Sequence, residues 1–335
     1  MNDQDQHKQA DEQAGVQLLE LLRRNYGQWV QMEALHLALG LERQQIHKQI
    51  DQLQRIGLEI ETTPVNGFRL AGPIQNISAE LIEFGLDTKR VGKKVLVYEE
   101  TDSTNDVAWQ YAAEAGFDGL AVFAEHQRCG RGRLGRTWLA PKGSSILCSV
   151  LLQDEPAQSQ EPLTLLAGLA AARAIEHTCG VPARINWPND VTINQRKVAG
   201  TIVESRQINS KYCYVVGVGI NCRQLKEDFP PEIRDSAMSL RMVTDRQIDR
   251  LELARQLLRE IDDWWASVQT KGHTKLHDEW LSRCDNIGRR LTVVNDNRRF
   301  VGRVIDVNPK KGLMLQLDTG AVLVFGGATT SVETS

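Results

Sequence analysis

The chain has 335 residues, a formal net charge of -3 and a hydrophobic content of 41%. A chain of this length exceeds the usual size of one hydrophobic core, so we expect two or three domains. No apolar run approaches the length of a membrane-spanning helix, and the first residues are polar and acidic, unlike a signal peptide. The sequence therefore predicts a cytoplasmic protein with no membrane contact.

The six cysteines are scattered along the chain. None forms a C-x-x-C pair or lies with histidines at the spacing of a metal site. We therefore expect reduced thiols rather than disulfides or bound zinc.

Residues 1–13 contain almost nothing to bury and are predicted to form a disordered tail. Three stretches with apolar residues at helical spacing follow, and then two short strands joined by a turn at Asn66-Gly67. Three helices and a two-stranded wing predict a winged helix-turn-helix domain over residues 14–72. Residues 73–86 are predicted to be a linker.

The third predicted helix would read DNA bases in the major groove, and the wing would contact the DNA backbone. The candidate DNA-binding residues are Gln44, Gln45, His47, Lys48 and Arg69. Residues 16–72 carry six cations and six acids, however, and phosphate neutralisation supplies most of the affinity of DNA-binding proteins. A domain that contacts another partner is therefore an alternative.

Residues 87–285 mix predicted strands and helices without the regular alternation of a dinucleotide-binding fold. This pattern predicts an α+β domain with a central mixed sheet. Residues 286–335 contain short predicted strands separated by turns, which indicates a small β domain. The fold class expected for the whole chain is multidomain α+β.

The segment from Gly130 to Trp138 combines glycines, which let backbone approach a ligand, with arginines, which hold anions. Five cations and no acid lie between Arg128 and Gly143. The segment lacks the Lys-Ser/Thr ending of a P-loop. We interpret it as a mobile loop that closes over an anionic ligand, with a solvated basic loop as the alternative.

Four further motifs accompany this basic loop: Asp102-Ser103-Thr104-Asn105, Trp187-Pro188-Asn189-Asp190, Lys197-x-Ala199-Gly200 and Gly217-x-Gly219-Ile220-Asn221. Each motif alone is common as a helix cap, a turn or a bulge. In this order, the set resembles the biotin protein ligases, in particular the bifunctional type that is also the biotin operon repressor. The resemblance extends from about Val16 to about Val332 and implies an SH3-like C-terminal domain.

The resemblance implies a ligase that joins biotin to ATP, with Mg²⁺, and forms biotinyl-5'-AMP. The biotinyl group would then pass to a lysine of a biotin carboxyl carrier domain. Operator DNA of biotin genes and a ligand-promoted homodimer are the other implied partners. The alternatives are a ligase without a DNA-binding role and a biotin-sensing regulator with weak ligase activity, whereas the basic loop argues against a lipoate ligase.

Both reaction steps need positive charge where negative charge develops, and exclusion of water, but no covalent nucleophile. The resemblance assigns catalysis to Arg131, Arg133, Arg136 and Asn186. It assigns biotin binding to Ser103, Thr104, Asn105, Gln127, Gly130, Arg131, Gly132, Arg133 and Gly219. It assigns ATP and adenylate binding to Arg133, Arg136, Trp138, Asn189, Asp190 and Asn221, with Asp190 also as a ligand of Mg²⁺.

The chain departs from the family at Asn186, because a lysine usually precedes the Trp-Pro-Asn-Asp run. An amide can donate a hydrogen bond but cannot supply the missing charge. Lys197 is expected to lie too far away to replace that lysine, roughly 15 to 20 Å along a strand that rises about 3.3 Å per residue. The expected consequence is a slower adenylation step rather than a different fold.

Overall fold

The computed structural model describes residues 3–71, 77–154, 160–208, 210–308, 310–327 and 329–333. These residues form two compact units. The first contains the residues up to Asp87 together with Asp249–Leu251, and the second contains the others. Within these ranges, no helix is long and apolar enough to cross a membrane.

The first unit contains helices and one two-stranded antiparallel sheet. Its described elements are α1 (Asp3–Arg24), α2 (Met32–Leu39), α3 (Arg43–Arg55), β1 (Ile60–Thr63), β2 (Gly67–Leu70) and α4 (Ala79–Glu83). Apolar side chains that α1, α3 and β2 bury almost completely form its core: Leu18, Leu22, Ile46, Ile50, Leu53 and Phe68. The helix α2 ends at Gly40, whose positive φ of 66° is typical of a glycine helix stop.

Two expectations for this unit are wrong. The predicted disordered tail is helical from Asp3 onward, because residues 3–14 include four Gln and two Ala, contain no Gly or Pro, and extend the packed part of α1. The predicted linker over residues 73–86 is part of the unit from Ile77 onward, because Ile77, Ile82 and Phe84 are buried. Residues 1–2 and 72–76 lie outside the described residues.

The second unit is built on a seven-stranded sheet. Its first elements are β3 (Val95–Tyr98), α5 (Thr104–Gln110), β4 (Ala121–Ala124), β5 (Ser145–Asp154), α6 (Gln160–Cys179), β6 (Arg184–Asn186), β7 (Asp190–Ile193), β8 (Arg196–Ile208) and β9 (Lys211–Asn221). The strand order is β3-β4-β5-β9-β8-β7-β6. The β3–β4 pair is parallel and the other described pairs are antiparallel, which confirms the predicted mixed α+β sheet.

The helix α5 packs on the sheet through a buried apolar cluster that includes Val107, Leu151 and Val215. Successive strand residues face opposite sides of a sheet. Ser149 and Gly217, each two positions from a residue of this cluster, therefore lie on the same face as α5. That face carries the residues described in the next section.

The remaining elements of the chain are α7 (Leu240–Thr244), α8 (Arg250–Lys271), α9 (Thr274–Arg283), β10 (Arg290–Asn295), β11 (Arg298–Asn308), β12 (Gly312–Leu317), β13 (Val322–Phe325) and β14 (Thr330–Glu333). The strands β10 to β14 form an antiparallel sheet in the order β13-β12-β11-β10-β14. This sheet belongs to the same compact unit as the seven-stranded one, so the domain boundary at residue 286 stays a prediction. Residues 309, 328 and 334–335 of the predicted C-terminal domain lie outside the described residues.

Asp262 of α8 anchors the first residues of the second unit. Its carboxylate accepts the backbone N–H groups of Lys89 at 2.8 Å, Arg90 at 2.9 Å and Val91 at 2.8 Å. The side chain is buried. One carboxylate therefore satisfies a whole turn of backbone donors.

We expect Asp262→Ala to lower the free energy of unfolding by about 3 kcal/mol, because buried donors that lose their acceptor each cost about 1 to 3 kcal/mol. Urea denaturation of the full chain measures this loss. The exposed neighbour provides the matched control, Asp263→Ala. Equal losses in the two variants would contradict the anchoring role of Asp262.

Candidate functional site

Most of the predicted site residues meet in one cavity of about 620 Å³ in the second unit. This volume is typical of a small-molecule site. The predicted residues that line it are Ser103, Thr104, Asn105, Gln127, Arg131, Gly132, Arg133, Arg136, Trp138, Asn186, Asn189, Asp190, Gly219 and Asn221. Gly130 does not line the cavity but closes the base of the basic loop, where its carbonyl accepts the N–H of Trp138 at 2.9 Å.

Three glycines on β8 and β9 leave the sheet bare beneath the cavity. A Cβ atom on Gly219 would lie 2.5 Å from the ring of Trp138, and one on Gly200 would lie 3.1 Å from the same ring. A Cβ atom on Gly217 would lie 2.6 Å from Oδ1 of Asn105. The indole ring and the Asn105 amide thus lie directly against backbone, which only glycine permits at these positions.

One part of the cavity, the head-group end, is lined by Ser103, Thr104, Asn105 and Gln127. The Gln127 Oε1 atom accepts the backbone N–H of Thr104 at 2.7 Å and its hydroxyl at 2.9 Å. The buried Ser149 hydroxyl lies 2.7 Å from Oγ1 of Thr104 and 2.6 Å from Oδ1 of Asn105. These neutral groups hold one another in place and suit an uncharged polar ligand group.

Ser149 is not among the residues predicted from sequence. The signal for it is weak, because one serine in an otherwise apolar strand is common. Its role becomes visible only when β5 is placed beside α5.

Another part of the cavity carries charge. Arg133 donates hydrogen bonds to Oδ1 of Asn189 at 3.1 Å and to the carbonyl of Thr330 at 2.9 Å, and burial lowers the pKa of its guanidinium. The ammonium of Lys197 lies 2.6 Å from Oδ1 of Asp190 and 5.6 Å from the centre of the Trp138 ring. Two cations with charged or dipolar partners can bind a carboxylate or a phosphate.

The expectation that Lys197 lies far from Asn186 is wrong, because both residues line this cavity. Lys197 pairs with Thr192 across the hairpin of β7 and β8. The expected distance followed the strand, whereas the hairpin of β6 and β7 places Asn186 directly opposite Asp190. The Lys197 side chain extends back to Asp190. The Lys-x-Ala-Gly motif was the sequence signal for this lysine.

Asn186 is held by a second asparagine from outside the sheet. Its Oδ1 atom accepts a hydrogen bond from Nδ2 of Asn286 at 2.6 Å. The Oδ1 atom of Asn286 in turn accepts the backbone N–H of Trp187 at 2.6 Å, and Asn286 is buried. Asn186 therefore has a neutral structural partner that a lysine at this position could not use.

The basic loop is tied to its own unit through Arg131 as well as Arg133. Arg131 donates to Oδ2 of Asp106 at 2.7 Å and to Oε1 of Glu204 at 3.2 Å. The hydrogen bond to Asp106 is the largest influence on the pKa of Arg131, which is raised. Arg131 was expected to hold the charge of a ligand, but in this structure its guanidinium is paired with two carboxylates.

Two segments that the sequence analysis did not include complete the cavity wall. The segment between β9 and α7 contributes Phe229, Ile233, Ser236 and Ala237, and β14 contributes Ser331, Val332 and Glu333. Asn221 donates to the carbonyl of Met238 at 3.1 Å and accepts from Gln224 at 3.2 Å, so its side chain anchors the first of these segments. Neither segment carries a motif, and both reach the cavity only through folding.

The described residues contain no cluster of three or more His, Cys, Asp or Glu side chains placed to hold a metal ion. Asp190 offers one carboxylate, which Lys197 shares. Mg²⁺ usually takes one or two protein carboxylates and completes its shell with phosphate oxygens and water. Asp190 therefore fits a Mg²⁺ ion only if a nucleotide brings that ion into the cavity.

All six cysteines are free, as expected; Cys129 is exposed and the other five are buried. Burial raises the pKa of Cys284 to about 11 and also raises that of Cys179. A thiol with a raised pKa is a poor nucleophile at neutral pH. Neither buried thiol is therefore a candidate for catalysis.

Comparison with known proteins supports one family. Residues 97–221 match the model of the biotin/lipoate A/B protein ligase family. The chain is 30% identical over 310 residues to the bifunctional ligase/repressor BirA of Bacillus subtilis. This match covers 92% of this chain and 95% of that relative. It is 33% identical over 241 residues to the biotin–[acetyl-CoA-carboxylase] ligase of Mycobacterium tuberculosis, covering 69% of this chain and 86% of that one.

Among solved structures, the biotin protein ligase of Aquifex aeolicus in complex with biotin and ATP is similar to this chain, with a TM-score of 0.64 and 26% identity. The match covers 72% of this chain and 100% of that ligase.

The close contact between Gly219 and Trp138 gives a test that needs no ligand. We expect Gly219→Ala to displace the Trp138 ring, because the new methyl group would occupy the position of ring atoms. The indole N–H signal of Trp138 in a nitrogen-15 NMR spectrum, identified by its loss in Trp138→Phe, should move. Gly168→Ala is the matched control, because a Cβ atom there would make only ordinary contacts at 3.8 Å. An unmoved Trp138 signal in Gly219→Ala would contradict the placement of the ring.

Proposed function

We propose that this chain, which belongs to the biotin/lipoate A/B protein ligase family, is a biotin protein ligase that uses ATP. It joins the carboxylate of biotin to the α-phosphate of ATP and releases pyrophosphate. The biotinyl group then passes from the adenylate to a lysine of a biotin carboxyl carrier domain, and AMP is released. One observation carries this proposal: a single cavity combines a neutral hydrogen-bonding end with a cationic part. The two parts match the ureido ring and the carboxylate of biotin.

The head-group end fits the ureido group, which offers two N–H donors and one carbonyl acceptor. Thr104 and Gln127 supply hydroxyl and amide groups there, and their mutual hydrogen bonds fix their orientation. A site whose polar groups are built for such a ligand rejects analogues that lack them, because its own groups would be left unpaired. This arrangement supports Ser103, Thr104, Asn105 and Gln127 as the biotin-binding residues.

We infer that Lys197 supplies the charge that Asn186 lacks. The attack of the biotin carboxylate on the α-phosphate places negative charge on the phosphate oxygens, and a fixed cation nearby stabilises that charge. The ammonium of Lys197 is held by Asp190 beside Trp138 and lines the same cavity as Arg133 and Arg136. These contacts support Lys197, Arg133 and Arg136 as the cations of the reaction.

A Mg²⁺ ion that arrives with ATP would neutralise part of the charge of the phosphates, with Asp190 as its protein ligand. Asn189 is fixed beside Asp190, because its Nδ2 atom donates to the carbonyl of Thr201 at 2.6 Å and its Oδ1 atom accepts from Arg133. This rigid corner supports the assignment of Asn189 and Asp190 to the nucleotide.

The biotinyl adenylate is a mixed anhydride and must be kept from water. Trp138 lies over Gly200 and Gly219, and its buried indole N–H has no acceptor within the described ranges. A bound ligand that offers an acceptor would satisfy this group. We therefore propose that Trp138 and the basic loop cover the adenylate until the carrier lysine attacks.

We further propose a winged helix-turn-helix in the first unit, an SH3-like domain formed by β10 to β14, and a biotin-responsive repressor function with operator DNA and a ligand-promoted homodimer. The order α1-α2-α3-β1-β2 and the names of the relatives support this proposal. Gln44, His47 and Lys48 are exposed on α3. A ligase without DNA binding is the alternative, since the charge of residues 16–72 is balanced.

Gln45 and Arg69 contact other residues of the first unit. The Oε1 atom of Gln45 accepts the backbone N–H of Glu42 at 2.9 Å, which caps α3. Arg69 pairs with Glu61 across the wing and stacks on the ring of Trp29 at 4.7 Å. A DNA contact by Gln45 or Arg69 would therefore have to replace an existing contact.

The proposed activity is tested with ATP, radiolabelled biotin and a biotin carrier domain. Lys197→Ala should slow adenylation by about 100- to 1,000-fold, because this is the usual effect of removing a group that stabilises developing charge. Asn186→Lys should not accelerate it, because Lys197 already supplies a cation and the change leaves Nδ2 of the buried Asn286 unpaired. The exposed Lys271→Ala serves as the control.

Unchanged adenylation by Lys197→Ala would contradict the role of Lys197. Bound biotin without adenylation by the natural chain would favour the sensor alternative.

DNA binding is tested by gel shifts on DNA upstream of biotin genes, with and without the adenylate, and sedimentation reports the dimer. Gln44→Ala should cost about 1 to 3 kcal/mol of affinity at one sequence position, and Lys48→Ala should lower the salt slope by about one. Gln45→Ala, the neighbouring variant, should lower stability through its cap but change affinity less. No shift by the natural chain at any adenylate concentration would support the ligase without DNA binding.

A further inference from the structure

We propose that Glu204 is a positioning residue that couples the head-group end of the cavity to the basic loop. The proposal rests on the ligase function proposed above, because it concerns how that ligase retains its intermediate. Glu204 lies on β8 and carries no motif. Its side chain is 22% exposed.

The carboxylate of Glu204 accepts hydrogen bonds from three residues, two on α5 and one in the basic loop. Oε2 accepts the indole N–H of Trp109 at 2.7 Å. Oε1 accepts Nδ2 of Asn105 at 3.0 Å and a guanidinium nitrogen of Arg131 at 3.2 Å. Burial acts to raise the pKa of Glu204, but these hydrogen bonds and the charge of Arg131 together hold it below its usual value. Glu204 is therefore ionised at neutral pH and fully engaged.

The link to the head-group end passes through Asn105. The amide oxygen of Asn105 meets the Ser149 hydroxyl at 2.6 Å, and its nitrogen donates to Glu204. The absent side chain of Gly217 leaves just enough space for this amide. Asn105 therefore cannot reorient toward or away from a bound ring without disturbing Glu204.

The link to the loop passes through Arg131. The backbone of Arg131 pairs with that of Thr137 in a short antiparallel bridge, and the neighbouring Gly130 pairs with Trp138. Holding the Arg131 side chain therefore holds the strand of the loop that ends in Trp138. A ligand group that orders Asn105 thus also favours the position in which Trp138 covers the cavity, and the coupling is reciprocal.

The chemistry of this position requires a carboxylate. A glutamine has a single acceptor oxygen, whereas Trp109 and the Asn105–Arg131 pair donate to opposite oxygens of Glu204. In Glu204→Gln, the new amide nitrogen must therefore face either Trp109 or the Asn105–Arg131 pair, and each of these is itself an N–H donor. The variant keeps the size of the side chain and breaks the coupling.

The test uses the full chain with biotin, ATP and a carrier domain. Glu204→Gln should speed the loss of preformed biotinyl adenylate by about tenfold, as expected for one charge-assisted contact. It should raise KM for biotin and change kcat at saturating biotin by less than about threefold, because Glu204 does not touch the reacting atoms. In a chain that already carries Arg131→Ala, Glu204→Gln should cause little further loss, because the contact between Glu204 and the loop is already absent.

The matched control is Glu99→Gln, which removes an exposed ion pair with Lys142 near the C-terminal end of the stretch from Arg128 to Gly143. This variant should leave the rate of adenylate loss unchanged. A natural chain that forms no adenylate would overturn the ligase function itself. A functional natural chain with unchanged adenylate loss in Glu204→Gln, or additive effects in the double variant, would overturn only the role of Glu204.

If Glu204→Gln does not fold, Arg131→Ala tests the same link from the loop. The NMR signals of the Asn105 side-chain amide and the Trp109 indole should move. Both groups donate to the carboxylate of Glu204, which loses its contact with Arg131 in this variant. Unmoved signals would overturn the proposal.

Discussion

The cavity exists because the sheet carries no side chains at Gly200, Gly217 and Gly219. Each of these positions brings backbone within contact of a ring or an amide, and a single methyl group at Gly217 or Gly219 would collide with it. Strand pairing continues through them, with Gly200 opposite Gly219, so the floor stays rigid although it is bare. These glycines therefore set how closely the Trp138 ring and the Asn105 amide approach the sheet.

The charges of the cavity follow a second constraint. A partly buried cation needs a partner, because removing it from water is costly. Lys197 has Asp190, Arg131 has Asp106 and Glu204, and Arg133 has Asn189 and a carbonyl of β14. An entering anion therefore exchanges contacts with existing partners. Such exchange lets the same arginines hold the loop and respond to a ligand.

Local features of this fold could be predicted from sequence because they depend on near neighbours. The hairpin between β7 and β8 follows from Asn194 and Gln195, which adopt the positive φ angles of a tight turn. The motifs around Thr104, Arg133 and Asn189 were predicted to converge, and they do. The sheet class followed from the absence of regular strand–helix alternation.

Other features depend on contacts between distant residues and could not be read locally. The position of Lys197 depends on the fold of the β6–β7 hairpin, and the partner of Asn186 lies in Asn286, one hundred residues away. Ser149 and Glu204 belong to no sequence motif. Their roles depend on contacts with α5, which the fold brings next to them. The polar composition of residues 1–13 predicted a disordered tail, although the helix propensity of these residues is compatible with the observed start of α1.

The wall contributed by β14 has a consequence for biosynthesis. Thr330 to Glu333 are translated after every other segment that lines the cavity, and β14 pairs with β10 only once they have left the ribosome. Before this, the carbonyl that holds Arg133 is missing. The pocket is therefore completed only after all its other lining segments have been synthesised, and until then the basic loop lacks the restraint from β14.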